Sequence, residues 1–470
     1  LHTMYIQDDW QVNSDLSVIL GLRLDRYESS FKPRENPGYV TANGTSNSKF
    51  IDGLDHLSPR VGLTYTPNSN FTLRAGYGEY TGGDPSVWIS NVASNTGFVA
   101  KNTNDSTVAD FANFDLLNLP TAVVNSAKTA ASAGGGSIDA IAADYELPYI
   151  KRLSLGGQYE WDGYTFTADY LITESINPNI VIPTDLTATG SLVAAPTGTA
   201  PDGSPIYGGE TSEYFLLKNS DKEPRGSQIA LNLKKDWSWG ENDFSASIGM
   251  ANTKMDVVSA LTSSRHVSNF RSNVNTDPLD PALGQAPYSR DKRETLSFSW
   301  TRNFFPDLPT QVSFFAQQNS GKHYNYTFST ANNIFGTLEA KRDAHLLYIP
   351  ATINCSSLAA DSVVTFANAS TCNSFKSFVD ANNLSQYAGS NVPRGAGEDP
   401  DSTRIDMRIK QYLPVPSPTY YGKLAVVFDV YNLANFLDED RGLVKTFSHN
   451  NNGNLDVITA TISGNKFSYD

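Results

Sequence analysis

Leu16, Val18, Leu20, Leu22 and Leu24 are each separated by a single residue, and this alternation returns along most of the chain. A period of two marks a strand with one face against apolar surroundings, because successive side chains point to opposite faces. The pattern recurs in Val61, Leu63 and Tyr65; in Phe71, Leu73, Ala75 and Tyr77; in Leu153, Leu155, Tyr159 and Trp161; and in Tyr164, Phe166, Ala168, Tyr170 and Ile172. It continues through Ile229, Leu231 and Leu233; Phe244, Ala246, Ile248 and Met250; Leu296, Phe298 and Trp300; Val312, Phe314 and Ala316; Ile405, Met407 and Ile409; and Leu424, Val426, Phe428 and Val430. The intervening positions are mostly Ser, Thr, Gly, Gln, Asn, Arg and Asp. Roughly a dozen such strands, apolar on one side and polar on the other, fit an all-β, antiparallel transmembrane barrel. A soluble β-sandwich has the same period, but its apolar runs usually span only about 5 to 6 residues.

Hydropathy agrees with strands crossing a membrane and excludes helices doing so. Hydrophobic residues make up 39% of the 470, and the mean hydropathy is -0.34. No run approaches the roughly 18 to 20 apolar residues that a spanning helix needs, whereas a barrel strand needs only about 9 to 11, every second one apolar. The 35 Lys and Arg against 49 Asp and Glu give a net charge of -14, which argues against a nucleic-acid partner. Leu1 to Tyr5 contains no basic segment followed by an apolar one, and the chain opens inside a strand. The sequence is therefore expected to be incomplete, and its start says nothing about export.

The connections alternate between short and long. Short turns are expected at Val12 to Asp15, Pro67 to Asn70, Asp162-Gly163, Asp236 to Asp243, Arg302 to Pro309 and Leu413 to Tyr421. Long, structureless polar loops are expected at Ser29 to Asp55, Thr81 to Leu147, Ser175 to Pro224, Asp256 to Ser289 and Gly321 to Asp401. Compact soluble domains rarely hold several such loops, while a barrel with short periplasmic turns and long external loops holds them readily. Trp10, Trp161 with Tyr164, Trp237 with Trp239, Trp300 with Phe304 and Phe305, and Tyr420 with Tyr421 flank the short turns, as an interfacial aromatic girdle would. The Ala133 to Ser137 stretch reads as a flexible loop element.

Tyr5-Ile6-Gln7-Asp8-Asp9-Trp10, then Leu16-x-Val18-x-x-Gly21-Leu22-Arg23-Leu24-Asp25, resembles a strand pair of TonB-dependent receptor barrels. Leu57-Ser58-Pro59-Arg60-Val61-Gly62-Leu63 with Phe71 to Gly78 resembles the pair that follows it. Asn319-Ser320-Gly321 with Tyr324, Tyr348-Ile349-Pro350, the stretch ending Val392-Pro393-Arg394, and Asp429 to Asn435 resemble the Oar-like members. The resemblance implies that residues 1–470 are the C-terminal part of the barrel, about 12 to 14 strands of a total near 22, incomplete at both ends. A plug domain with its TonB box upstream, and the final strand downstream, are expected outside this sequence. After Arg394, Gly395-Ala396-Gly397-Glu398-Asp399-Pro400 departs from the family's pattern, so this loop is expected to meet a different ligand.

Cys355 and Cys372, the only cysteines, fall in the longest connection, and in an oxidising export pathway a disulfide that limits loop entropy is expected. Arg23, Arg60, Arg74, Arg152, Arg404 and Arg408 share the polar parity. They are candidates for steering an anionic ligand or holding a plug carboxylate; the plainer reading pairs them with Asp25, Asp169, Asp406 and Asp429 as wall structure. Tyr324, Tyr326, Tyr348 and Tyr387 are candidate contacts of an extracellular loop, or pack that loop on itself. Asn275 to Asp280 is oxygen-rich but lacks EF-hand spacing and reads as a turn. His2, His56, His266, His323, His345 and His449 form no HExxH, and no Gly-x-Ser-x-Gly is present, so neither an enzyme, a metal nor a cofactor is expected.

The expected function is uptake of a scarce peptide, protein fragment, glycan or metal chelate across the bacterial outer membrane, with energy from TonB acting on the plug. The partners are then membrane lipid and lipopolysaccharide, the TonB complex and an unidentified ligand. The alternative is an adhesive or structural barrel whose loops contact surfaces or proteins. A passive porin would have fewer strands and one constricting loop.

Overall fold

In the computed structural model the described residues are 1–81, 86–98, 121, 124–125, 136–184, 196–207, 214–259, 261–287, 289–305, 307–329, 334, 345–358, 360–414, 424–447 and 453–470. The alternating segments form a thirteen-stranded sheet, one strand of which is a two-residue side branch. The wall strands are β1 (His2–Gln11), β2 (Leu16–Arg26), β3 (Asp55–Asn68), β4 (Phe71–Thr81), β5 (Tyr149–Trp161) and β6 (Tyr164–Ile176). They continue as β7 (Arg225–Trp239), β8 (Asn242–Val257), β9 (Lys292–Phe305), β10 (Leu308–Asn319), β11 (Ser402–Leu413) and β12 (Leu424–Val430). Each pairs antiparallel with its neighbours in sequence order, β1 and β12 lie at the two edges, and the described strands do not close into a ring.

Pairing register decides which residues share a face, because directly opposed residues point the same way. One unbroken face runs Leu20, Val61, Tyr77, Leu153, Ile172 across β2 to β6. It continues as Leu233, Ile248, Leu296, Ala316 and Ile405 across β7 to β11. These side chains lie open: Leu155 is 50% exposed, Ile248 58% and Phe428 59%. An apolar face this wide needs a nonaqueous neighbour, since soluble monomers rarely expose more than a few hundred Å² contiguously. At the short-turn end the same face carries Trp10, Trp161, Trp239, Phe304 and Phe305, all exposed, with Trp161 stacked near Tyr164 and Trp237 on Phe244.

The turns are tighter than the sequence suggests. Asp162 (φ 46°) and Gly163 (φ 73°) both occupy the left-handed region, as a two-residue hairpin demands, and a Cβ at Gly163 would lie 2.6 Å from the Asp236 carbonyl. The expected turn Asp236 to Asp243 shrinks to Gly240-Glu241, because β7 runs on through Trp239 and β8 starts at Asn242. Arg302 to Phe305 likewise belong to β9. In both places one charged residue, Lys235 or Arg302, interrupts the apolar parity, while the backbone ladder continues and carries Trp237, Trp239 and Phe305 beyond it. The Leu413 to Tyr421 turn lies mostly outside the described residues, as do Tyr420, Tyr421 and most of Ala133 to Ser137.

The larger correction concerns the long connections, which are not structureless. They leave from the end opposite the short turns and fold into a cap with two cores. The first centres on a three-stranded sheet of Ile138–Ile141, Tyr214–Asn219 and Asn179–Pro183, packed against helices Pro37–Asn43, Ser86–Ser94 and His266–Ser272. The second holds a five-stranded sheet in the order Val364–Phe366, Lys466–Tyr469, Asn454–Ser463, His323–Ser329, Gly397–Glu398, beside helix Ala369–Ala381. Ile138, Leu217, Leu347, Val364 and Phe467 are 0% exposed. Such cores hide the backbone polar groups of segments that would otherwise need water.

Candidate functional site

The face opposite the apolar one is the candidate site, and register places all six predicted arginines on it. From Arg23 the opposed positions run Ser58 on β3, with Arg60 two residues on, then Gly78, Arg152 and Thr173. The same face passes through Gln228, Thr253, Ser247, Ser297, Ser313 and Arg408, with Gln317 opposite Arg404. Arg74 joins it opposite Thr64 and Gly156.

The six divide into two groups. Arg23 donates from Nε and Nη2 to the two carboxylate oxygens of Asp25, both at 2.8 Å; Thr3 and Thr81 hydroxyls donate to Asp25 at 2.7 and 2.9 Å, and Asp25 is 2% exposed. Arg404 donates to Asp406 at 2.8 Å, and Arg408 forks onto Asp429 at 2.6 and 3.0 Å. These three are neutralised in the wall, two within their own strand and one across strands. Arg60, Arg74 and Arg152 have no ion-pair partner among the described residues. Arg60 lies 4.5 Å and Arg152 5.9 Å from the Tyr80 ring centroid, so two guanidiniums share one aromatic ring. Asp169, a proposed wall partner, instead leans over Gly156, where a Cβ would sit 2.3 Å from its Oδ1.

On the β8 to β12 side the face is hydroxyl-rich. Ser247 and Ser297 share a hydrogen bond of 2.7 Å. A recess of about 370 Å³ is lined by Ser245, Ser299, Ser313, Phe315, Arg408 and Asp429 among others. The polar face thus offers neutral hydrogen-bonding groups along one flank and uncompensated positive charge along β3, β4 and β5.

The tyrosines of the longest connection require correction. Tyr324, Tyr326 and Tyr348 are 1%, 4% and 6% exposed, inside the second core, and only Tyr387 is half-exposed. Tyr324 stacks edge-on to Tyr326 at 5.2 Å, and Gly397 lets the strand pass its ring, since a Cβ there would lie 2.4 Å from it. Burial pushes the Tyr324 and Tyr326 hydroxyls above their ordinary range. Their size and apolar bodies fill the core of a sheet whose strands are too short for their alternation to be read.

The loop after Arg394 is also internal. Arg394 is 8% exposed and donates from Nη1 to the Val258 carbonyl at 2.8 Å and to Asn273 Oδ1 at 3.1 Å, and from Nη2 to the Val257 carbonyl. Desolvation brings its pKa down to about 10. Gly395 accepts from His323 Nδ1 at 2.8 Å and donates to Asn325 Oδ1 at 2.8 Å. These residues join two connections to each other; the departure from the family pattern alters a seam and not an exposed surface.

Cys355 and Cys372 form a disulfide 17 residues apart, with Cα atoms 5.5 Å from each other. Sequence reading did not single out the histidines, yet His56 lies against Glu79, His266 against Asp139, His323 against Asp291 and His345 against Asp202, at 3.2, 3.3, 2.9 and 3.5 Å. Their partners lie 23 to 143 positions away, which no local pattern reveals. Asp277 Oδ1 accepts from Leu279 N at 2.9 Å and from the Tyr207 hydroxyl at 2.9 Å, as a turn-forming Asx does. Among the described residues no three of His, Cys, Asp and Glu come together to hold a metal ion.

No curated protein matches the chain in sequence. Among solved structures, the outer membrane transporter YddB from Escherichia coli superposes with a TM-score of 0.47 at 12% identity, over 92% of this chain and 41% of that one. The FrpB iron transporter from Neisseria meningitidis (F5-1 variant) gives 0.41, 12%, 92% and 41%. The ferric enterobactin receptor PfeA of Pseudomonas aeruginosa gives 0.40, 11%, 92% and 39%. The chain thus spans about two fifths of the length of these proteins. Residues 1–464 match the family described as the outer membrane beta barrel domain. The wide apolar face, the polar face behind it and that match together make this chain a member of the outer membrane β-barrel domain family, at home in the bacterial outer membrane.

Proposed function

We propose that residues 1–470 are the larger part of the barrel of an Oar-like TonB-dependent receptor, which captures an anionic ligand from outside and passes it inward with energy from TonB. The observation that carries this reading is the trio Arg60, Arg74 and Arg152, uncompensated on a polar face between a packed cap and the short turns. Unpaired guanidiniums in a confined, low-dielectric channel raise the local concentration of anions. A wall used only as structure would neutralise them, as it does Arg23, Arg404 and Arg408. The exposed edges of β1 and β12 add support: unpaired backbone groups are not tolerated in hydrocarbon, so further strands close the barrel, to a total near 22. On this reading the polar face lines the lumen, an upstream plug fills it, and the ligand is an acidic peptide, protein fragment, glycan or metal chelate.

The test uses cells carrying the full-length protein. Depletion of solutes from the medium is profiled by mass spectrometry, with and without a protonophore. Energy-dependent loss of an anionic solute, slowed by R60Q/R74Q/R152Q, is the expected result. A second reading, adhesion, draws on the two hydrophobic cores of the cap, which give the exterior a fixed shape suited to contact with another surface. It takes over if no solute is depleted in an energy-dependent way and deletion of the gene abolishes surface attachment.

A further inference from the structure

The row of directly opposed residues that holds Arg60 and Arg152 is half glycine. It runs Gly21, Arg60, Gly78, Arg152, Thr173 and Gly226 across β2 to β7 on the polar face. Arg60 therefore stands between two residues that carry no side chain, and only Gly78 separates it from Arg152. Neighbouring strands lie about 4.8 Å apart, which puts the two arginine Cα atoms roughly 10 Å from each other. At Gly21 packing does not demand glycine, since the nearest neighbour of an added Cβ would be 3.7 Å away. At Gly78 it does, because Tyr80 ring atoms would lie 2.8 to 2.9 Å from a Cβ there. The Tyr80 ring thus lies over Gly78, within cation–π reach of both guanidiniums.

This corner is rich in donors and short of acceptors. Neither guanidinium has a hydrogen-bond or ion-pair partner among the described residues. Ser58, two residues from Arg60 towards the cap, is 0% exposed, and its hydroxyl and Arg60 Nε are buried with no hydrogen-bond partner among the described residues. Asp25, two residues from Arg23 on the same face, is already held by Arg23, Thr3 and Thr81. Two like charges around one ring repel, and buried donors left unmatched cost further free energy. A carboxylate brings one charge and two oxygens. A phosphate monoester brings close to two charges at pH 7 and three strong acceptor oxygens, enough for two forked guanidiniums and a hydroxyl. Arg74 stands four residues from Gly78 along β4, roughly 14 Å at 3.4 Å per residue, and lies outside this group.

We propose that Arg60 and Arg152 form a clamp across Gly78 for a phosphate monoester group of the ligand, with Tyr80 as the positioning residue that sets their spacing. The clamp rests on the anionic-ligand reading above and narrows it to a phosphorylated ligand.

The test follows the rate at which phenylglyoxal modifies each arginine of the purified full-length protein, mapped by peptide mass spectrometry, with phenyl phosphate or benzoate present at equal ionic strength. Phenyl phosphate is expected to slow modification of Arg60 and Arg152 about tenfold more than benzoate does, one and a half kilocalories or so of preference, while Arg74 does not distinguish the two. In R60Q the protection of Arg152 is expected to disappear, with the gel shift of the folded barrel unchanged. The phosphorus resonance of phenyl phosphate should also broaden on adding wild type and stay sharp with R60Q/R152Q, which covers a reagent that does not reach the two arginines. Equal protection by both anions, a resonance that wild type leaves sharp, or an Arg152 still protected in R60Q overturns the clamp. The uptake reading fails separately: cells that deplete no solute in an energy-dependent way refute it whatever the arginines bind, whereas energy-dependent loss of carboxylates without phosphates refutes the clamp alone.

Discussion

Arg408 and Asp429 meet across β11 and β12 through two parallel hydrogen bonds, while Arg74, on the same face, has no ion-pair partner among the described residues. The two arginines should therefore answer differently to removal of charge. R408Q leaves capture of an acidic fluorescent peptide unchanged, because its charge is already offset. R74Q combined with R152Q slows association, and the difference from wild type shrinks as salt rises past about 0.15 M, where screening acts within roughly 8 Å. Stopped-flow association to the full-length protein at several salt concentrations measures this.

Ile248 and Ser247 are adjacent on β8 yet face opposite ways, Ile248 opposite Leu233 and Leu296, Ser247 opposite Lys234 and Ser297. Ile248→Arg should cost about 2 to 4 kcal/mol of folding free energy in a bilayer, the range for a cation near the midplane of a lipid-facing strand. Ser247→Arg should cost far less, since it enters the polar side. Equilibrium folding into lipid vesicles, read from the gel shift of folded barrel, compares the two; equal penalties would contradict the assigned faces.

The Cys355–Cys372 bridge ties the start of helix Ala369–Ala381 to the segment before Val364–Phe366, and Cys372 is 0% exposed. Closing a loop of this size contributes roughly 3 kcal/mol through the unfolded state. The double variant C355S/C372S should therefore loosen the second core without touching the wall. Limited proteolysis should cut within 345–391 at a lower protease concentration than in wild type, with the gel shift of the barrel unchanged.

His345 is 4% exposed, with Nδ1 donating to the Leu346 carbonyl at 2.8 Å, and desolvation holds its pKa below the ordinary value of 6.5. The unfolded cap then binds a proton more readily than the folded one. Its contribution to stability is complete above the unfolded pKa near 6.5 and declines as pH falls through that value. The protection factor of the His323–Ser329 strand, which corrects hydrogen exchange for its slower intrinsic rate in acid, should fall between pH 7 and pH 5, and H345Q should remove that part of the pH dependence.

The wall was legible because a membrane imposes the same rule on every strand. Leu20, Val61 and Leu153 could be assigned to one face from parity alone, and the six arginines to the other, before any pairing was known. Where the rule is interrupted, by Lys235 and by Arg302 at positions of apolar parity, the strands continue past the break to Trp239 and Phe305. The cap follows no such rule. Its strands run from two to ten residues, and Asn325 pairs with Asn454 in a parallel ladder, a distance in sequence that no local pattern spans. Whether Tyr324 and Tyr348 make loop contacts or pack the loop on itself was therefore open in the sequence, and the loop after Arg394 read as meeting a ligand, although all three residues are buried. Which arginines are neutralised was equally hidden, since Arg74 and Asp169 have suitable types and share one face, yet β5 with Gly156 runs between their strands and they do not form an ion pair.

The strands Asn454–Ser463 and Lys466–Tyr469 follow all twelve wall strands in sequence, yet lie in the middle of the cap's five-stranded sheet, clasped by His323–Ser329 and Val364–Phe366. Wall hairpins join neighbours in order and can enter the membrane one after another. The second cap core cannot close until the segment beyond β12 has itself reached the cap's side of the wall. Completion of this surface is therefore a late event in the life of the chain, waiting on residues up to Tyr469, whereas each wall hairpin needs only its immediate neighbours in sequence.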